Sequence, residues 1–114
     1  MITIYGIANC DKCRSAIKWF DSHNCEYRFH DLRADGLDKP LLKRLTAETG
    51  AAELINKRST TWRNIPDGAK TATSETALQT LILDHPTLIK RPVVDTGKQI
   101  HVGHDEAAWQ RLLP

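Results

Sequence analysis

Residues 2 to 30 change periodicity twice, and this change restricts the fold more than any other feature of the chain. Ile2, Thr3, Ile4 and Tyr5 are β-branched or aromatic and read as a strand that Gly6 breaks. After the connector Ile7-Ala8-Asn9, Cys13, Ala16, Ile17 and Phe20 recur at i, i+3, i+4 and i+7. That spacing is the apolar face of a helix, which ends near Ser22-His23-Asn24. Tyr27 and Phe29 then alternate with polar neighbours in a second strand over Glu26 to His30. Two strands joined through a helix lie parallel, with a right-handed crossover. The start is therefore β-α-β, the opening of an α/β fold.

From about Asp35 to His85 the strand signal is weak. Asp38 is placed to cap a helix with Pro40 in its first turn and Leu41, Leu42 and Leu45 on its apolar face. Ala51 to Ile55 read as a short helix, and the polar, basic stretch from Lys57 to Arg63 reads as loop. Thr73 or Ser74 caps a further helix carrying Ala77, Leu78, Leu81 and Ile82, which Pro86 stops. The tail returns to strands: Pro92 to Asp95, a Thr96-Gly97-Lys98 turn, then Gln99 to Val102, a hairpin signature. Asp105 caps a last helix with Ala108, Trp109, Leu112 and Leu113 on its apolar side. The order is β-α-β, helical insertion, β-β-α. The 114 residues suit one domain, with a core of about 1–34 and 87–114 and an insertion of about 35–86.

Several functional classes fall away on composition. With 40% hydrophobic and 26% charged residues the chain buries a core and is not disordered. A net charge of +2 is too mild to point to nucleic acid. No apolar run approaches the roughly 18–20 residues of a membrane span. The opening Met-Ile-Thr-Ile-Tyr-Gly has neither the basic nor the apolar part of a secretion signal. Three cysteines, an odd number without an export signal, favour a cytoplasmic location over a disulfide framework.

Cys10 and Cys13 form a Cys-x-x-Cys where the first strand hands over to the helix. The open N–H groups of a helix start amount to about +0.5 charge and favour an anion, which a thiolate is. Lowering a thiol pKa from about 8.5 to about 6.5 raises its thiolate fraction at pH 7 from about 3% to about 75%. Lys12 and Arg14 add positive charge, and Asp11 opposes it. Spacing of three sets Cys13 one turn on, so that it resolves a mixed disulfide formed on Cys10. Zinc, simple packing of Cys13 and chance compete with this reading. A structural zinc site needs a second ligand pair. The available pair, His101 and His104, straddles a strand whose residues three apart face opposite ways. Cys25, at the head of the second strand, reads as packing.

Two further groups stand out. Lys90-Arg91-Pro92 precedes the third strand, and proline tolerates the first position of a strand. Arg91 brings a fixed charge able to hold a thiolate, carboxylate or oxyanion; a pair of solvated cations before an edge strand is the plainer alternative. Lys57, Arg58 and Arg63 surround Trp62 as a solvated face, an anion-binding lid or a partner surface. The histidines at 23, 30, 85, 101 and 104 are scattered, with mostly surface roles expected.

Four blocks carry a family resemblance: Ile-Tyr-Gly-Ile-Ala-Asn-Cys-Asp-Lys-Cys-Arg-Ser-Ala, Asn-Lys-Arg-Ser-Thr-Thr-Trp-Arg, Ile-Lys-Arg-Pro-Val-Val and His-Val-Gly-His-Asp-Glu-Ala. In order and spacing they resemble the arsenate reductase (ArsC) family, its YffB-like branch above all, with the regulator Spx as a cousin. The resemblance implies a thioredoxin-like fold with an inserted helical subdomain. It implies that Cys10 is the nucleophile, Arg91 the anion-holding arginine and Pro92 a cis proline facing the cysteine. The other two arsenate-binding arginines of the family fall at Asn56, beside Lys57 and Arg58, and near Gly103. Each charged hydrogen bond so lost removes about 1.5–3 kcal/mol, or one to two decades of affinity. Arsenate reductases also carry Ser where Cys13 stands. The resemblance therefore implies a glutathione-dependent thiol reductase with no bound cofactor, glutathione as co-substrate and glutathione or a glutaredoxin-like protein as reductant. The alternatives are an Spx-like redox sensor binding RNA polymerase and a residual arsenate reductase. Neither membrane nor direct nucleic-acid binding is expected.

Overall fold

The computed structural model describes residues 2–71 and 74–112. They form two compact units, one reaching to Asp35 and resuming at Arg91, the other Gly36–Lys90.

The first unit is a four-stranded sheet with helices. β1 (Ile2–Gly6) leads into α1 (Asp11–Ser22) and β2 (Tyr27–Asp31). β3 (Val93–Asp95), β4 (Ile100–Val102) and a short closing helix (Glu106–Gln110) complete it. The strand order is β2-β1-β3-β4. β1 and β2 run parallel, with Ile4 opposite Phe29 and Gly6 opposite Asp31. β3 pairs antiparallel with β1, Ile4 opposite Val94, and β4 antiparallel with β3, Val94 opposite His101. The alternation of strand side chains puts Ile4 and Val94 on one face. There they meet Ala16, Phe20 and Trp109, all fully buried. Each large apolar side chain so buried is worth about 1.5–3 kcal/mol. Asp105 caps the closing helix by accepting from the Ala108 N–H at 3.0 Å. Leu113 lies outside the described residues.

The second unit is helical: Lys39–Thr46, Ala51–Leu54, Thr60–Arg63, Asp67–Lys70 and Glu75–Asp84, then a 3-10 turn at Pro86–Leu88. Asp38 accepts from the Leu41 N–H at 2.9 Å, and Ser74 caps Glu75–Asp84 through the Ala77 N–H at 3.1 Å. Thr73, the other expected cap, lies outside the described residues. Leu42, Leu45, Leu54, Ile82 and Leu88 are buried.

Two local expectations fail. Gly6 does not break the first strand but completes it. The Lys57–Arg63 stretch is not all loop, because the Ser59 hydroxyl accepts from the Trp62 N–H at 3.1 Å and caps a turn of helix. Of the histidines, His101 is half-buried in β4 with its Nε2 buried, while His23 and His85 are exposed. Among the described residues no helix is long and apolar enough to cross a membrane.

Candidate functional site

Cys10 is the N-cap of α1, with extended backbone at φ −125° and ψ 121°. Its carbonyl accepts the first helical bond, from the Arg14 N–H at 2.9 Å. The thiol makes no side-chain capping bond of the Asp or Ser kind. Other groups act on the sulfur instead. Burial alone raises the thiol pKa; the Cys13 N–H, the Cys13 thiol and the Arg91 guanidinium outweigh it. The net result lies below the ordinary thiol value.

Cys13 has the opposite fate. It is 1% exposed, beneath the end of β1. Burial pushes its thiol up to about 12, and the neighbouring Cys10 adds to the rise, against the Ile7 backbone amide and Arg91. The two sulfurs therefore differ in acidity: Cys10 gives up its proton more readily than an ordinary thiol, and Cys13 keeps its proton at neutral pH. All three cysteines are free thiols.

Gly6 makes the room for Cys13. A Cβ there would sit 2.5 Å from the Cys13 Sγ, 3.3 Å from its Cβ and 3.4 Å from Phe29. Real Cβ atoms do not approach a neighbour that closely, so any larger residue displaces the sulfur. The signal for Gly6 lay in plain view as a small residue at a strand end, but its use depends on a contact seven residues away.

Arg91, two residues before β3, acts on Cys10 by hydrogen bond and charge, and on Cys13 by charge. The Arg91–Pro92 peptide bond is cis, and Pro92 is buried. The Pro92 carbonyl accepts from the Gly103 N–H at 2.8 Å, which ties the start of β3 to the end of β4. Lys12 is exposed, and Arg14 is bonded to Asp11. Neither is among the groups that shift Cys10, so the local charge comes from Arg91.

Asn56 and Arg58 lie in the second unit. The Asn56 Oδ1 accepts from the Arg58 N–H at 3.0 Å, and its carbonyl accepts from the Ser59 hydroxyl at 2.7 Å. Asn56 thus shapes a turn, and Arg58 is exposed after it. Lys57 and Lys70 stand 5.7 and 5.8 Å from the Trp62 ring, a basic, aromatic surface. Among the described residues no three His, Cys, Asp or Glu side chains are grouped to hold a metal.

Comparison with known proteins bears on both units. The ArsC family model matches residues 5–112. The solved YFFB protein superposes with a TM-score of 0.94 at 35% identity over 100% of both chains. An uncharacterized protein of Haemophilus influenzae is 42% identical over 110 residues, 96% of each chain. The global transcriptional regulator Spx 2 of Bacillus cereus is 31% identical over 117 residues, covering 100% of this chain and 88% of that one. The fold is thioredoxin-like, with an inserted helical unit.

Proposed function

This chain belongs to the ArsC family, on its YffB-like side and related to Spx, and from that premise we propose that it is a glutathione-dependent thiol–disulfide oxidoreductase. One observation carries the reading: a cysteine at a helix start with depressed pKa, beside an arginine and a buried second cysteine. The Cys10 thiolate attacks one sulfur of a substrate disulfide. Its new S–S bond forms as the old one breaks, and the leaving thiolate takes a proton. Once Cys10 is in the mixed disulfide, its negative charge is gone. Cys10 was one of the groups raising the Cys13 thiol, so Cys13 then loses its proton more readily and attacks the Cys10 sulfur. The second substrate thiol leaves, and a Cys10–Cys13 disulfide remains. Two molecules of reduced glutathione return that disulfide to thiols and become glutathione disulfide. A glutaredoxin-like protein giving the same two electrons serves equally. Arg91 holds the anionic partner, and its planar fork suits a carboxylate of glutathione.

The test is an intact-mass titration across a glutathione redox buffer. Wild type closes the internal disulfide, Cys13→Ser collects one glutathione on Cys10, and Cys10→Ser collects none there. If neither wild type nor Cys13→Ser reacts with glutathione, the reading fails.

The identity with Spx 2 across the whole chain favours one second reading, a redox sensor whose thiol pair controls binding to RNA polymerase. Retrieval of polymerase subunits by the reduced or oxidised protein tests it, and no retrieval in either state removes it. The Asn56 and Gly103 positions argue against arsenate turnover, since a charged donor is missing at each.

A further inference from the structure

We infer that Asp31 is a positioning residue for the thiol pair, acting through the Ala8 N–H on the segment that ends at Cys10. The inference rests on the thiol-exchange reading above. Asp31 closes β2 and stands opposite Gly6, which closes β1. Its Oδ2 accepts from the Ala8 N–H at 3.1 Å. Its Oδ1 accepts from the Arg33 N–H at 2.8 Å and the Ala34 N–H at 3.0 Å. The Asp31 N–H donates to the Asp35 Oδ2 at 2.9 Å, which anchors the residue itself. The next residue, Leu32, donates its N–H to the Gly6 carbonyl at 2.8 Å. The end of β2 and the residue after it thus hold the end of β1 at Gly6 and the segment after it at Ala8, one bond each.

The position of that grip matters. Ala8 lies two residues before Cys10 and directly after Ile7, whose backbone amide acts on the Cys13 sulfur. Ile7 is buried, but the Ala8 and Asn9 side chains after it are exposed, so burial does not locate those two residues. A carboxylate is needed, because three N–H groups converge on its two oxygens. In an asparagine one of those atoms becomes an NH₂ donor. The side that faces two donors keeps the oxygen, so the NH₂ turns to Ala8 and that contact is lost. Backbone N–H groups, first of Ala34 and then of Arg33, hold the Asp31 carboxyl below the usual carboxylate range. The clamp is therefore ionised wherever Cys10 chemistry runs.

The test is the pH profile of iodoacetamide alkylation in wild type and Asp31→Asn, read by peptide mass. Cleavage after Lys12 separates Cys10 from Cys13, and Cys25 is the internal standard. In the variant the Cys10 midpoint moves up and its rate at pH 6.5 falls by about three- to tenfold. Cys25 alkylation and the circular-dichroism spectrum stay unchanged. Superimposable Cys10 profiles overturn the inference. A wild-type Cys10 that titrates as an ordinary thiol overturns the exchange reading instead. Amide exchange at Ala8 reads the same bond without a substitution, should the variant not fold: protection is expected, and exchange at the rate of an open amide overturns the clamp.

Discussion

The two ends of α1 carry cysteines in opposite surroundings. Cys10 caps the start, where open N–H groups favour a negative charge. Cys25 follows the C-cap His23 by two residues, at the negative end of the helix dipole, which disfavours one. The neighbours reinforce the difference. Cys10 has Arg91 and the Cys13 N–H, and its thiol lies below the ordinary value. Cys25 sits in a shallow depression with Asp21, Asn24, Glu26 and Tyr27, and burial and then Glu26 raise its thiol. The residue type is the same and the helix is the same. Thiol acidity differs with burial, with which end of the helix is near and with the charge that other elements bring to it.

The most direct way to break this contrast is to remove the charge. Arg91→Ala loses a charged hydrogen bond of about 1.5–3 kcal/mol. Glutathione-coupled disulfide reduction then falls about ten- to a hundredfold in kcat/KM, and Cys10 alkylation shifts to higher pH. Arg91→Lys restores part of the loss, as a point charge without the fork. Unchanged turnover in Arg91→Ala would detach the arginine from the chemistry. Next in size is Gly6→Ala, which drives a methyl group against the Cys13 sulfur. Overpacking of this kind costs about 1–3 kcal/mol, read as a lower urea midpoint. Closure of the Cys10–Cys13 disulfide slows while the first attack by Cys10 does not. Equal slowing of both steps would mean that Gly6 serves the fold alone.

How much of this was readable in one dimension depends on range. The β-α-β start and the caps Asp38, Ser74 and Asp105 are local, and each cap accepts the N–H three residues on. The four-residue helices at Thr60–Arg63 and Asp67–Lys70 were not readable, since one turn holds too few apolar positions to show a period. The Cys-x-x-Cys is visible as spacing, yet the approach of Arg91 depends on β3 pairing with β1 across some ninety residues. That approach was expected from the family resemblance, not from periodicity. Gly6 and Asp31 were missed because their work is done through space. Gly6 matters for a sulfur in the next helix, and Asp31 for an amide 23 residues away.

A pH series in one sample sharpens the comparison further. The Cys10 pKa is depressed, so its thiolate fraction is gained below the pH at which an ordinary thiol ionises. The Cys25 pKa is raised, so its thiolate appears above that pH. At pH 6.5 Cys10 alkylates faster than Cys25 by about an order of magnitude or more. The ratio narrows as pH rises, because Cys10 is already ionised while Cys25 is still gaining. A ratio that stays constant with pH would show that access, not ionisation, separates the two thiols.

The smallest expected effect isolates the acidic neighbour at the far end of the helix. Glu26→Gln removes a like charge beside Cys25 and leaves its burial, the larger cause of the raised pKa, in place. Glu26 is exposed, so solvent screens its influence. Cys25 alkylation at pH 7.5 therefore rises by less than about twofold, within the range of screened surface charges. Cys10, at the other end of α1, keeps its rate. A rise well beyond twofold would make Glu26 the main brake on Cys25 and burial the minor one. A change at Cys10 would show that the two ends of α1 are coupled, and the contrast would then belong to the helix as a whole rather than to the neighbours at each end.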